Sequence, residues 1–198
     1  MSDMAANSVE TAPSRPITAD EYQRMGRFRI FKPDERVELL NGRIVQMPPI
    51  GQLHVYGVIS LDELLHQTLG DRAVIMAQGA FRLDPFSEPQ PDIAVLCAPR
   101  GRYATRLPAP EDVLLVIEAA DSSLGYDRGE KLRAYARRAI PEYWIVDIRH
   151  ERILAFAEPD PEGERYSSEI VVERGGRIAP RAFPDAVIAI DDVLVPRA

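Results

Sequence analysis

Two acidic side chains of this sequence stand among apolar neighbours. Asp92 follows Pro91 at the head of the run Ile93-Ala-Val-Leu-Cys97, and Glu118 sits near the end of the run that begins at Val113. An isolated buried carboxylate is heavily penalised, so each must be paired, hydrogen-bonded, protonated or bound to a metal. Two such groups on neighbouring strands could converge on one cation. Hard oxygen ligands of this kind suit Mg²⁺ or Mn²⁺, which keep several waters and also bind phosphate oxygens. Taken alone, Asp92 could equally be a strand-initial residue bonding to a turn.

Lysine provides a second signal. The basic residues are nearly all arginine, and only Lys32 and Lys131 are lysines. Such a bias usually reflects genome composition, but a position that keeps lysine becomes a candidate for chemistry that a compact ammonium performs best. Lys131 and Tyr135 are four apart, so on a helix both lie on one face and can point at one site. Lys131 could instead be a solvated helix residue paired with Asp127. Arg128, Arg133, Arg137 and Arg138, with Arg100, Arg102 and Arg106, are candidates for a DNA-facing rim, against a default of solvated helix surface. No GxSxG elbow, P-loop, GxGxxG or HExxH is present, and His54, His66 and His150 are too scattered to suggest zinc.

These residues need elements to position them. Thr18 with Glu21 forms a capping box, predicting a short helix over residues 19–26. Asn41-Gly42 between two apolar runs is a hairpin signal, with Glu38 just before the turn and free to brace it. Apolar residues from Val55 to Leu69 recur at helical spacing and Gly70 is placed to stop them. Residues 73–83, 92–97 and 113–119 read as extended, the last two as strands buried on both faces. A helix over residues 127–138 ends before Ile140-Pro141, and residues 143–147 are another buried strand with Tyr143 and Trp144 as core aromatics. Asp147 ends that strand and could support a site or cap a turn. Further strands are expected near residues 152–157, 168–172 and 186–190. The order predicts an α/β (α+β) fold with a mixed central sheet flanked by helices.

Composition sets the outer limits. At 198 residues with 45% hydrophobic, the chain suits one domain over residues 17–198 behind a mobile tail over residues 1–16. A net charge of -7 excludes a globally basic nucleic-acid binder, so DNA contact would need a local basic patch. Cys97 is the only cysteine, which excludes an internal disulfide and a Cys-rich zinc module, and no disulfide-linked partner is expected. A cytoplasmic protein without a membrane segment or signal peptide is the expectation.

The ordered set Val37-Glu38-Leu39-Leu40-Asn41-Gly42, Pro49 with His54, Pro91-Asp92, Val116-Ile117-Glu118 and the block from Tyr126 through Lys131 and Tyr135 to Asp147 resembles the Uma-two family of the PD-(D/E)XK nuclease superfamily. The resemblance runs from about Ile17 to Val195. It implies a restriction-endonuclease-like core with extra C-terminal strands that binds a divalent metal, Mg²⁺ or Mn²⁺, and hydrolyses phosphodiester bonds of DNA. On this resemblance Asp92 and Glu118 are the metal ligands and Glu38 is a third acidic contributor. In the simplest superfamily pattern a lysine lies two residues after the second acid, where this chain has Ala120; in the family pattern it has moved to the following helix, where Lys131 stands. The family also more often shows a Ser-Pro-Ser/Thr run after the glutamate, where this chain has Ala-Ala-Asp-Ser-Ser. Tyr135 would support the site by hydrogen bonding, and His54 would be structural or a phosphate contact. A homodimer is a further expectation, from the resemblance and from the convenience of two sites for two strands. The alternatives are a catalytically inactive nucleic-acid- or protein-binding module on the same fold, and a metal phosphodiesterase for a small substrate.

Overall fold

The computed structural model describes residues 14–197; most of the expected tail lies outside them. The first helix, α1 (Ala19–Arg27), carries the capping box of Thr18 and Glu21. The hairpin follows as β1 (Val37–Leu40) and β2 (Arg43–Gln46), closed by Asn41 and Gly42 with φ of 52° and 73°. Two consecutive left-handed residues match the right-handed twist of the paired strands, which is why Asn-Gly marks this turn. Gly42 cannot be replaced freely, because a Cβ there would meet Pro16 at 2.4 Å.

The long helix α2 (Gln52–Leu69) ends at Gly70, whose N–H bonds His66 O. Its Val58, Leu61, Leu65 and Leu69, at helical spacing, bury against Ile93, Val95, Leu115, Ile117 and Trp144 of the sheet. That sheet has six strands in the order β3 (Ala73–Ala77), β4 (Ile93–Cys97), β5 (Val113–Ala120), β6 (Glu142–Asp147), β7 (Arg152–Asp160) and β8 (Arg165–Glu173). All neighbours are antiparallel except β5 and β6, which run parallel. A parallel pair needs a crossover. It is supplied by one helical passage over residues 124–137: α3 (Leu124–Tyr126), a single π turn (Asp127–Lys131) and α4 (Leu132–Arg137). Ala134 and Tyr135 pack on the opposite sheet face from α2, with Val116, Ala120, Tyr143 and Ile145. The mixed α+β sheet with added C-terminal strands agrees with the sequence expectation.

Two expectations are corrected. The run over residues 73–83 is not one strand: β3 stops at Ala77, Gln78 turns left-handed (φ 48°), and Phe81 and Leu83 return hydrogen bonds to Pro89 O and Ser87 O in an irregular segment. Both side chains are buried, so apolar content marked the core there without marking the backbone. The last strand shrinks to β10 (Ile188–Ala189), paired with β9 (Arg177–Ile178), and runs into α5 (Ile190–Val193). No helix among the described residues is long and apolar enough to cross a membrane.

Candidate active site

Register brings the two acids together. Ile93 pairs with Ile117 across β4 and β5, so Asp92 and Glu118 stand directly opposite one another one step further on. Side chains at opposed positions share a face. Here it is the face covered by the helical crossover, because Ala94 and Val116, two residues away on each strand, pack into the core beneath it. Asp92 Oδ2 accepts the Ala119 N–H at 2.9 Å and contacts His54 Nε2 at 3.0 Å. Glu118 Oε1 accepts from Lys131 Nζ at 2.8 Å and Tyr135 OH at 3.0 Å. Each carboxylate is thus fixed through one oxygen, while Asp92 Oδ1 and Glu118 Oε2 have no donor among the described residues.

Glu38 approaches from the hairpin. Its Oε2 accepts the Gln90 N–H at 3.0 Å and lies 3.2 Å from Lys131 Nζ, while Oε1 accepts from Tyr126 OH at 3.2 Å. Glu38 therefore grips the lysine instead of bracing the hairpin turn. The view of Lys131 as a solvated residue is wrong, since it is 3% exposed between two carboxylates. Burial works against its charge, but Glu118, Glu38 and Asp127 outweigh this and hold the ammonium above its ordinary pKa.

The π turn explains how so many groups of one helix face inward. An extra residue in the turn keeps Tyr126 and Asp127 at the site while Lys131 and Tyr135 also reach it. Asp127 is buried, accepts from Ser123 Oγ at 2.6 Å, and lines the same cavity. Burial, only partly offset by Lys131, pushes its carboxyl up to about 6. Burial also raises Glu118 well above the carboxylate range, with Lys131 opposing and Asp127, Asp92 and Glu38 reinforcing. Tyr126 and Asp127 were not singled out from the sequence as site residues. Both lie in the block that carries the family resemblance, but the π turn that aims them has no local sequence signature.

Glu38, His54, Asp92, Glu118, Tyr126, Asp127 and Lys131 line one cavity of about 360 Å³. With Asp121, five carboxylates line it against Lys131 and Arg36. No group of three or more His, Cys, Asp or Glu forms a ready-made metal cage among the described residues. A Mg²⁺-type ion does not require one, because it is held by one or two carboxylates with water and phosphate completing its shell. The free oxygens of Asp92 and Glu118, the uncompensated negative charge and hard oxygen chemistry fit such a cation. His54 is a partner of Asp92, and its Nδ1 is buried without a hydrogen bond among the described residues.

The arginine rim is largely absent as a free surface. Arg128 pairs with Glu169, Arg137 with Glu164 and Arg138 with Asp84, while Arg102 and Arg106 both hold Asp112. Arg100 and Arg133 have no ion pair among the described residues, and Asp147 is occupied by His150 and Arg152. Nearby acids neutralise these arginines, which an uneven run of basic residues in the sequence does not reveal. Cys97 is free.

The fold is similar to that of a solved structure described as "a putative nuclease belonging to DUF820" from Anabaena variabilis ATCC 29413, with a TM-score of 0.69 and 15% identity over 90% of this chain and 97% of that one. No curated protein matches the chain. The family model Uma2, described as "Putative restriction endonuclease", matches residues 19–191. That span includes every residue of the cavity floor, and the chain belongs to the Uma2 family.

Proposed function

We propose that this protein is a divalent-metal-dependent endonuclease hydrolysing phosphodiester bonds of DNA. One observation carries this: Asp92 and Glu118 occupy opposed positions on one sheet face, each with an oxygen to spare, and Lys131 sits beside them in the same cavity. Asp92 and Glu118 would hold Mg²⁺ or Mn²⁺. When bound, an ion of this type makes water more acidic and neutralises charge on phosphoryl oxygens.

The chain's own groups then have separable tasks. The Ala119 N–H and His54 fix one oxygen of Asp92, leaving the other without a donor among the described residues. Tyr135 and Lys131 do the same for Glu118. The Lys131 ammonium can turn toward a non-bridging phosphate oxygen, or toward the attacking water, while Glu38 keeps it in place. Family membership supports a nuclease.

The test is cleavage of supercoiled plasmid and single-stranded DNA by wild type and Asp92→Ala with Mg²⁺, Mn²⁺ or EDTA at low salt. Metal-dependent nicking or linearisation that vanishes in the variant is the expected result. Equal cutting by both proteins would be contamination, and binding without cleavage would assign a non-catalytic module instead.

A further inference from the structure

The reactive groups lie deep. Glu38 is 1% exposed, Glu118 4% and Asp92 7%. They form the floor of a cavity whose volume, about 360 Å³, is in the range that encloses one small ligand. Val45, Met47 to Ile50 and Tyr126 give the same cavity an apolar and aromatic part, beside the polar Gln46, Asp121, Ser122 and Ser123. A duplex keeps its bases paired and stacked, so a base can enter a recess of this size only after it has left the stack. Enzymes that must enclose a single base take it from a single strand or extrude it, at an unstacking cost that is least where the strand is already unpaired. Apolar and aromatic walls receive the base that unstacking frees.

Arg36 completes the picture. It lines the same cavity, and its Nη1 donates to Pro48 O at 3.2 Å. No carboxylate pairs with it among the described residues, unlike Arg128, Arg137 and Arg138, whose charges are already matched. An unmatched guanidinium at the rim of an acidic recess is placed to bind a phosphate next to the one at the floor.

We infer that the cavity takes one unstacked nucleotide of a single DNA strand, its base against the wall formed by residues 47–50 and Tyr126 and a neighbouring phosphate on Arg36. Single-stranded or frayed DNA is then the preferred substrate over intact duplex. The inference rests on the nuclease reading for the chemistry at the floor, but the strand preference is separable from it.

The experiment uses one fluorescein-labelled oligonucleotide, alone and annealed to its complement. Cleavage is followed in Mn²⁺ and Mg²⁺, and binding by fluorescence anisotropy in EDTA, for wild type, Arg36→Ala and Arg36→Lys. The single strand should be bound and cut at least about ten-fold better than the duplex. Arg36→Ala should weaken single-strand binding about ten-fold and reduce the slope of log affinity against log salt by about 0.7, as loss of one phosphate contact requires. Arg36→Lys should restore the slope. Duplex bound or cut as well as the single strand, or an unchanged slope in Arg36→Ala, overturns the inference. Failure to cut either form while Arg36-dependent single-strand binding persists refutes the nuclease reading and supports the nucleotide pocket; failure to bind either form ends both.

Discussion

The Lys131 ammonium lies 2.8 Å from Glu118 Oε1, although one residue belongs to the helical crossover and the other to a central strand. The strand itself carries Ala120 two residues beyond the acid, so the cation comes to Glu118 from across the core. Removing it leaves Glu118 and Glu38 buried without their counter-ion. Breaking a buried pair from one side costs about 3–5 kcal/mol. Lys131→Met should therefore lower the urea midpoint in EDTA by a corresponding amount, and adding Glu118→Gln to it should recover part of the loss. Cleavage by Lys131→Met should fall by about 100-fold or more even with metal saturating.

Metal binding should be visible without any substrate. A ligand at about 100 times its Kd stabilises the folded state by about 2.7 kcal/mol. Mn²⁺ should thus raise the melting temperature of wild type, and calorimetric titration should give a binding isotherm. Asp92→Asn and Glu118→Gln should each abolish most of the rise, because each removes a carboxylate from the cavity lining. A full rise in both variants would place the ion elsewhere.

The π turn is a positioning device with a simple structural test. Deleting Gly129 should let residues 124–137 close into a plain α-helix, and the one-residue change would rotate Tyr126 and Asp127 away from the face that carries Lys131 and Tyr135. Far-UV circular dichroism should remain helical. Cleavage and Mn²⁺ stabilisation should nevertheless drop, since Tyr126 would no longer hold Glu38.

Acidity should reveal the crowding of carboxylates. Burial pushes the Asp127 carboxyl from 3.8 up to about 6, with Lys131 opposing the shift. The folded state then binds that proton more tightly than the unfolded state, so Asp127 costs stability above about pH 6. The cost shrinks as pH falls through 6 and disappears below about pH 4. Asp127→Asn should be more stable than wild type at pH 7.5 in EDTA, by about 3 kcal/mol at most. The gap between the two melting temperatures should roughly halve by pH 5 and close below about pH 4. Asp112 runs the other way, held low by Arg106, so its contribution is present at neutral pH and lost on acidification.

Tyr135 offers a milder probe. Its hydroxyl, raised in pKa chiefly by burial and then by Glu118, donates to the same oxygen that Lys131 holds. Tyr135→Phe removes one charge-assisted hydrogen bond without opening a cavity and should cost about 1.5–3 kcal/mol in unfolding free energy. A larger loss of activity than of stability would show that the orientation of Glu118 matters to the chemistry.

Several features were determined by short-range sequence alone: the capping box at Thr18 and Glu21, the Asn41-Gly42 turn, the Gly70 stop and the apolar strands around Ile93 and Ile117. Each follows from steric or periodic rules that act within a few residues, and the acids at Asp92 and Glu118 were legible because a charge in an apolar run is conspicuous. Tertiary structure decided the rest. Whether Asp92 faces Glu118 depends on the register of β4 against β5, and whether Lys131 meets water or Glu38 depends on how the crossover packs. The arginines looked available in one dimension and are mostly neutralised by acids up to 54 residues away. Charge pairing and strand register are long-range contacts, set by the packing of the whole core, and for that reason no local stretch of the chain contains them.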